Sequence, residues 1–444
     1  MKNATRLAAW GAAIVAAIAA STAGAETIDA VDGELPVVLT PARMRQSLAD
    51  VPASVTVITS DMIERLGIMS IPDALRLVPG MQITQASGND HRINYHGTNI
   101  LVPRRMNVLI DGISVYRPAM ARVDWSELPI AIEDVDRIEV TREPNSASYG
   151  ANSMLAIINI ISKHPAEAKG FTVAGSLGAL RSADGTVRYG GQLGASTSYR
   201  VTMNRHTDNG FDSTSATALD HDGTRLDKLM FRSETDLGNH QSLDLEAALI
   251  RGVKEVASID RYQKTLPDLR LQEYYLSATW RNGISANHDL RIQAYATNHK
   301  VDQAWTTCPP TAMLVPQMFD MWRANPSYAN AILAGRMPSG GSDRDNALAL
   351  AAIRAIRALG AGAAAPTCVD TNQNYVEARR DIELQDTYLF SDTLRLVSGF
   401  GLRWDMGDSR TFLDGRVSNH SYRAFANAEY KPMPSLHINA GGYL

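Results

Sequence analysis

The chain has 444 residues, and its 43 lysines and arginines against 47 aspartates and glutamates give a formal net charge of −4, which excludes the strong basic excess of a nucleic-acid coat. Hydrophobic residues make up 45% of the chain, with 32 glycines and 19 prolines, so collagen, a coiled coil and wholesale disorder are excluded. Two cysteines exclude a disulfide-dense scaffold and an all-thiolate metal cluster, and they leave one disulfide open.

The first 25 residues have the features of a secretory signal peptide. Lys2 and Arg6 precede an apolar run from Leu7 to Ala20, and small residues lead to Ala25, so we expect cleavage near Ala25. A membrane anchor is the alternative, but this run is too short to cross a hydrocarbon core of about 30 Å as a helix. Residues 26–46 then form a tail without helical periodicity.

Residues 47–165 show a mixed pattern of helices and strands. Ser60 and Asp61 are candidate caps for a helix that ends near Leu66, and Asp111-Gly112 between two apolar runs is a strong hairpin signal. The other predicted elements are a strand over Ser54–Thr59, a short helix from Ile71 to near Gly80 and a strand over Met81–Thr84. This part of the chain is therefore a small α+β domain.

From about residue 170 the chain changes to recurring strands of ten residues or more with period-two alternation. In Leu290–Thr297 the apolar residues share one face and the polar residues the other, and we find about eleven such segments, many with aromatic residues at their ends. A soluble β-sandwich also alternates, but its strands are usually shorter. Because lipid cannot satisfy the hydrogen bonds of an open edge, long amphipathic strands behind a signal peptide favour an outer-membrane β-barrel.

Four ordered blocks of the α+β domain carry a family resemblance. They are Leu75–Met81, Asn107–Gly112, Val135–Val140 and Ser148–Ile161. In order and spacing they resemble the plug domain of TonB-dependent outer-membrane receptors. The resemblance implies an α+β plug domain over residues 47–165, followed at residues 170–444 by the N-terminal part of an antiparallel transmembrane β-barrel. It also implies a monomer in the outer membrane, in contact with its lipid.

By the same resemblance, part of the tail looks like the segment through which a periplasmic TonB protein pulls on the receptor. The segment consists of Leu35, Pro36, Val37, Val38, Leu39 and Thr40. An extended peptide of this kind suits pairing with a strand of the partner. Pro36 lacks an N–H and removes one hydrogen bond of such a pair, so an ordinary linker is the alternative.

Ligand contacts in the family come from the apical loops of the plug and from the barrel wall. The corresponding loops, Ala86–Arg92 and Tyr116–Trp125, supply the candidates His91, Arg92, Tyr116, Arg117, Arg122 and Trp125. Guanidinium groups recognise carboxylate or phenolate oxygens, and aromatic rings cover flat organic surface. The resemblance thus implies energised uptake of a scarce ligand, with a ferric siderophore favoured and cobalamin, haem or a carbohydrate as alternatives.

Other classes of protein are a passive pore or adhesin, which needs no coupling segment, and a secreted enzyme. No His-Glu-x-x-His, Gly-x-Ser-x-Gly or phosphate-binding loop motif occurs. We therefore expect no catalysis, no resident cofactor and no metal site, and an iron chelate would be the cargo.

Several positions depart from the family pattern. His96-Gly97 stands where the family usually has Arg-Gly, Arg142-Glu143-Pro144 replaces Arg-Gly-Pro, and Leu155-Ala156 replaces Gly-Gly. The lost glycines imply a subfamily with different packing or a relaxed sequence.

Cys308 and Cys368 lie in one long segment between two barrel strands, where an extracellular loop is expected. Since that side is oxidising, we predict a disulfide that stabilises the loop by about 4 kcal/mol, with a helix over Ala347–Leu359 inside the loop.

The number of predicted strands indicates how much of a barrel this chain can form. Plugged transporters have about 22 strands, so the segments found predict a truncated barrel. Its open edges would leave backbone groups unpaired in lipid. We expect that this chain alone does not insert as a stable transporter, and a non-functional truncated fragment is a further alternative.

Overall fold

The computed structural model describes residues 37–40, 43, 46–48, 51, 53–96, 105–142, 146–211, 221–256, 262–265, 267–433 and 436–444. The expected signal peptide, Leu35, Pro36, Gly97, Glu143 and Pro144 lie outside these residues. At the start of the described chain, β1 (Val37–Val38) pairs with β2 (Gln46–Ser47) in an antiparallel ladder.

The α+β domain follows. Its strands are β3 (Val55–Thr59), β4 (Met81–Ser87), β5 (Asp90–Tyr95), β6 (Met106–Ile110), β7 (Ile113–Ser114), β8 (Val135–Thr141) and β9 (Ala156–Ser162). Its α-helices are α1 (Ser60–Arg65), α2 (Ile71–Ala74) and α3 (Ser146–Tyr149). Short 3₁₀ turns cover Leu75–Leu77, Trp125–Glu127, Ile132–Asp134 and Pro165–Ala168. Five strands form one sheet in the order β3-β8-β9-β6-β7, and β4 and β5 form a separate hairpin.

Local sequence explains these elements, with two corrections. The cap of α1 is Thr59, whose hydroxyl accepts from the Met62 N–H, so Ser60 and Asp61 are already in the first turn. The second helix ends at Ala74 and tightens into a 3₁₀ turn before Gly80. The predicted hairpin is present: Asp111 and Gly112 have φ of 49° and 82°, the positive values that a type I′ turn requires.

The core of this domain lies between its sheet and helices α1 and α2. The sheet contributes a dense set of fully buried β-branched residues, among them Ile58, Ile138, Val140, Ile158 and Ile160. Because β6 and β9 run parallel and are buried, they read as near-continuous apolar runs rather than as alternating strands.

The rest of the chain is dominated by long antiparallel strands. In chain order they are β10 (Gly170–Leu177), β11 (Ala183–Leu193), β12 (Thr197–Asp208), β13 (Thr224–Gly238), β14 (Gln241–Glu255), β15 (Asp268–Ser285), β16 (His288–Asp302), β17 (Ala304–Thr307), β18 (Val369–Asn372), β19 (Tyr375–Ser391), β20 (Leu394–Ser409), β21 (Gly415–Met433) and β22 (Leu436–Tyr443). The 3₁₀ turn Ala179–Arg181 follows β10, and helix Arg410–Leu413 lies between β20 and β21.

All of these strands except β17 and β18 form one sheet. Among the described residues it has eleven strands, each paired with its sequence neighbour, and its edges are β10 and β22. The number matches the segments found in the sequence, and several strands are longer than ten residues. One face packs against the plug, as where Tyr275, Tyr295 and Met230 contact Ile113 and Ala131. The opposite face exposes apolar residues such as Leu276, Ile382 and Tyr422.

The long segment between β16 and β19 is a small folded unit. It contains α4 (Pro316–Ala324), α5 (Pro326–Leu333) and α6 (Asp343–Ala358), with 3₁₀ turns at Thr311–Leu314 and Gly360–Ala364. Its helices enclose an apolar core that includes Met321, Ala329 and Ala352. Helix α6 begins four residues before the predicted start, because Ser342 and Asp345 form a capping box. None of the described helices has the length and apolar character needed to cross a membrane.

At the base of this unit Cys308 and Cys368 form a disulfide, 60 residues apart in sequence. We expect that the Cys308→Ser, Cys368→Ser double variant destabilises the unit by about 4 kcal/mol, since the bond limits the unfolded chain. Faster protease cleavage between residues 316 and 358 would show this effect. The Thr306→Ala variant, which loses only an exposed hydrogen bond to Asp370, is the control. Equal cleavage rates in all three proteins would contradict the prediction.

Candidate functional site

A cavity of about 360 Å³ lies between the plug and the sheet. The plug lines it with the tip of the β4–β5 hairpin and with residues 122–126, and the sheet lines it with Lys254, Glu255, Val256 and Leu269. The hairpin tip is fixed to the sheet side, because the Asn89 side-chain amide donates to the carbonyl oxygens of Gly223 (3.2 Å) and Glu255 (2.7 Å). We call this space the apical cavity.

Four of the six ligand-binding candidates line the apical cavity: His91, Arg92, Arg122 and Trp125. The ring of His91 is partly buried, and burial lowers its pKa below the usual value. Its Nδ1 atom has no hydrogen-bond partner among the described residues. At neutral pH the ring therefore offers a neutral nitrogen to a ligand.

The cations around the cavity already have carboxylate partners. Arg92 Nη2 lies 2.8 Å from Asp90 Oδ2, and Arg122 Nε lies 2.9 Å from Asp124 Oδ1. Both arginine side chains are about a third exposed, at 30% and 40%, so a ligand can reach them. The Arg92–Asp90 pair is exposed on both sides and is therefore weak, whereas the Asp124 side chain is only 8% exposed.

The other two candidates, Tyr116 and Arg117, lie outside the apical cavity. They border a much smaller space of about 20 Å³ together with Glu273, His299 and Glu377. The Arg117 side chain is 8% exposed and contacts three carboxylates: Asp124 at 3.1 Å, Glu127 at 3.0 Å and Glu273 at 2.9 Å. Its position fits a structural ion pair between plug and sheet rather than an exposed contact for a ligand.

Further contacts extend this network across four neighbouring strands of the sheet. Glu127 also accepts from Lys254 Nζ on β14 at 2.7 Å and lies 3.1 Å from His299 Nε2 on β16. On β19, Glu377 accepts from the backbone N–H groups of Ala119 (2.9 Å) and Met120 (3.2 Å). We call these ion pairs and hydrogen bonds around Arg117 and Glu127 the plug clamp.

Electrostatics keeps the clamp charged. Burial alone would raise the pKa of Glu127, but Lys254, His299 and Arg117 hold it well below its usual range. Burial likewise opposes ionisation of Asp124, whose pKa is nevertheless lowered by Arg122 and Arg117. The pKa of Arg117 is raised, because Glu273, Asp124 and Glu127 outweigh its burial.

Asp124, Glu127 and His299 bring three metal-ligand atoms within 4.8 Å of one another. The same carboxylates already accept from Arg117 and Lys254. A divalent cation would have to displace these two fixed positive charges, so the donor set fits an ion-pair network better than a metal centre.

On the far side of the plug, a carboxylate binds Leu39 and Thr40 of the coupling segment, while Val37 and Val38 pair with β2. Glu139 is fully buried on β8, and its Oε2 atom accepts from Leu39 N (3.0 Å), Thr40 N (3.0 Å) and Thr40 Oγ1 (2.6 Å). The nearby tail also contacts the sheet: Arg43 lies 2.7 Å from Glu383 Oε1, and Gln46 donates to Glu429 Oε1 at 3.0 Å. The tail therefore bridges plug and sheet.

Two of the departures from the family pattern lie within the described plug, and one of them, Leu155-Ala156, is in its core. Ala156 is fully buried at the start of β9, and Leu155 packs against the same apolar cluster. His96 has φ of 56°, and its ring lies 3.9 Å from that of Tyr95. At positions 155 and 156, side chains thus fill the space that the two family glycines would leave open.

The arrangement has relatives among known proteins. A family model described as TonB-dependent Receptor Plug Domain matches residues 47–157. The Vitamin B12 transporter BtuB of Vibrio cholerae serotype O1 is 29% identical over 232 residues, 52% of this chain and 36% of that protein. BtuB of Vibrio vulnificus is 33% identical over 145 residues, 32% of this chain and 23% of that protein.

Solved structures share the fold at low identity. The ferripyoverdine receptor of the outer membrane of Pseudomonas aeruginosa matches with a TM-score of 0.64 and 13% identity, over 92% of this chain and 53% of that chain. The ferric enterobactin receptor PfeA of the same organism, in a mutant form, matches with a TM-score of 0.57 and 16% identity, over 88% and 57% of the two chains. This chain spans about a third of the length of the curated relatives that it matches.

Proposed function

We propose that this chain, which belongs to the TonB-dependent outer-membrane receptors, is the plug-bearing part of a receptor for energised uptake of an anionic metal chelate, with a ferric siderophore as the favoured cargo. The observation that carries the proposal is the apical cavity, which combines two accessible guanidinium groups, a neutral imidazole and an indole ring. Its size lies within the range of small-molecule pockets.

The cavity chemistry suits a chelate whose oxygen donors carry negative charge. Arg92 is paired with Asp90 through an exposed contact, so an anionic ligand gains its charge at small cost. Arg122 is 40% exposed, and the side chain of its partner Asp124 is largely buried. Trp125 adds an aromatic surface for the organic part of the chelate, and guanidinium groups match carboxylate or phenolate oxygens bidentately. The chelate is cargo in this proposal, and no resident cofactor is required.

Arg122 also connects the cavity with the plug clamp. It shares Asp124 with Arg117, so a ligand that draws Arg122 towards the cavity leaves Asp124 with less compensating charge. Such a change weakens the contacts of the plug clamp next to the apical cavity. The tail at Glu139 lies on the opposite side of the plug. We propose that the TonB protein then pulls the coupling segment, after secretion and cleavage near Ala25.

Cobalamin is the second candidate cargo. The curated relatives carry the name Vitamin B12 transporter. Their sequence identity to this chain, 29% and 33%, is higher than the 13% of the ferripyoverdine receptor. The paired cations and the neutral imidazole would also accept a large, weakly charged ligand. The two candidates differ in charge, so a binding assay separates them.

The Arg122→Ala variant tests the cavity. We expect it to weaken binding of an anionic ferric siderophore by outer membranes about tenfold or more, because a hydrogen bond to a charged group contributes about 1.5–3 kcal/mol. Binding is measured for ferric catecholate, ferric hydroxamate and cyanocobalamin in parallel. Arg65→Ala, at an exposed arginine on α1, is the control and should leave binding unchanged. Binding of cyanocobalamin alone would replace the favoured cargo, and binding of none of the three would contradict the proposal.

A further inference from the structure

The face of the large sheet that points away from the plug has a groove of about 800 Å³. Its floor is formed by small residues on three adjacent strands: Ala247, Ala278, Ala294 and Ala296. These positions alternate with side chains that face the plug, such as Glu246 and Tyr275. The groove is therefore on the membrane side of the sheet.

The shape of the groove follows from the strand register. Phe231 pairs with Ala247, Leu276 with Ala296, and Ala278 with Ala294, so small residues stand beside large ones in two neighbouring rows. On the other side the wall consists of larger residues, including Leu402 and Tyr422. The alanine side chains leave open space that longer apolar side chains would fill. The result is an apolar groove that an acyl chain can occupy.

One of the two rows of the groove carries a cation. Arg380 follows Ala296 in the same row, next to Trp404 and then His420, and its guanidinium lies 5.6 Å from the centre of the Trp404 ring. The guanidinium donates to the backbone oxygen of Arg379 at 3.4 Å. Within the described residues, no carboxylate lies at ion-pair distance from Arg380. By contrast Arg205, on the same face, lies 3.4 Å from Asp227.

The polarity of the groove matches that of a lipid. Arg380 lies near the start of β19, directly after the loop between β16 and β19, and the apolar row of Ile382, Leu402 and Tyr422 lies farther from that loop. A charge on the lipid face is costly unless it reaches the interface or an anionic partner. Arginine recognises phosphate groups, and tryptophan is enriched at the membrane–water interface.

We propose that this groove binds one phosphate-bearing lipid of the outer leaflet, with its phosphate at Arg380 and an acyl chain over the alanine floor. The charge of the headgroup complements the unpaired guanidinium, and the chain covers the exposed apolar rows. The site lies on the opposite face of the sheet from the apical cavity and does not depend on the identity of the transported ligand.

The test uses the receptor that contains this chain, extracted from outer membranes in mild detergent and examined by native mass spectrometry. The probes are lipid A and lipid A from which both phosphates have been removed. We expect wild-type protein to bind one lipid A at least tenfold more tightly than the dephosphorylated form. Arg380→Gln should abolish this difference, and Ala296→Phe, which fills the floor, should weaken binding of both probes. Arg205→Gln is the matched control and should behave as wild type.

The proposal would be overturned if Arg380→Gln preferred lipid A over its dephosphorylated form as strongly as Arg205→Gln does. It would also be overturned if the wild-type protein bound the two probes equally. A dimer mass in place of a lipid-bound mass would overturn it as well. Thermal unfolding of each variant shows whether it is folded. If Arg380→Gln is unfolded, the proposal is still tested by Ala296→Phe and by the binding of the two probes to the wild-type protein.

Discussion

Arg117→Ala should loosen the plug within the sheet by about 3–5 kcal/mol, the usual effect of removing one partner from a buried ion pair. The substitution leaves Asp124, Glu127 and Glu273 without the guanidinium that each contacts within 3.1 Å. Glu127 keeps Lys254 and His299, and Asp124 keeps Arg122. Glu273 keeps no other ion pair among the described residues. The measurement is the denaturant midpoint at which a protease cuts the plug of the membrane-extracted protein.

Arg65→Ala, at an exposed pair on α1, is the control and should change stability by no more than about 0.5 kcal/mol. In wild type, the pKa values of Asp124 and Glu127 are lowered by folding. Their stabilisation is therefore present above their unfolded values of 3.8 and 4.5 and is lost as the pH falls through the folded values. An Arg117→Ala protein with the midpoint of wild type would contradict the role of the clamp.

Glu139→Ala should free Leu39 and Thr40 of the coupling segment, while Val37 and Val38 stay paired with β2. This carboxylate accepts three hydrogen bonds from Leu39 and Thr40, and each bond to a charged group contributes about 1.5–3 kcal/mol. We expect hydrogen exchange of the Leu39 and Thr40 amides to accelerate at least a hundredfold. If the bound segment is the form that the TonB protein cannot engage, the apparent affinity for the periplasmic domain of TonB rises as well.

The control for Glu139→Ala is Glu64→Ala, since Glu64 is 73% exposed and has only a 3.5 Å contact with Lys163. A glutamine at position 139 keeps one oxygen acceptor, so it should give an intermediate exchange rate. Unchanged exchange of the Leu39 and Thr40 amides in Glu139→Ala would show that other contacts hold the tail.

Local pattern was sufficient for much of the fold. The period-two alternation predicted the long strands because one face of each strand meets polar groups and the other meets apolar surroundings. The Asp111-Gly112 turn followed from backbone conformation alone. The cap of α1 was assigned to Ser60 and Asp61 instead of Thr59, because three adjacent polar residues suit that position almost equally well.

The contacts of the candidate site were harder to predict from the sequence. Short loops suggested His91, Arg92, Arg122 and Trp125, which line one cavity, but the same argument included Arg117, whose partner Glu273 is 156 residues away. Glu139 lies 99 residues from Thr40, on a strand that also carries Asp136 and Arg137. Because several residues of this strand are charged, the sequence does not mark Glu139 as a buried acceptor, and its partner follows only from the tertiary fold.

The central claim is that ligand binding at the apical cavity is linked to uptake through the tail. The most direct measurement is accumulation of a labelled ferric siderophore by the native cells, with the complete receptor gene either intact or lacking codons 35–40. The account predicts that the deletion keeps surface binding and lowers accumulation to the level of cells without TonB. Accumulation equal to that of the intact receptor would contradict the account and would indicate a passive pore.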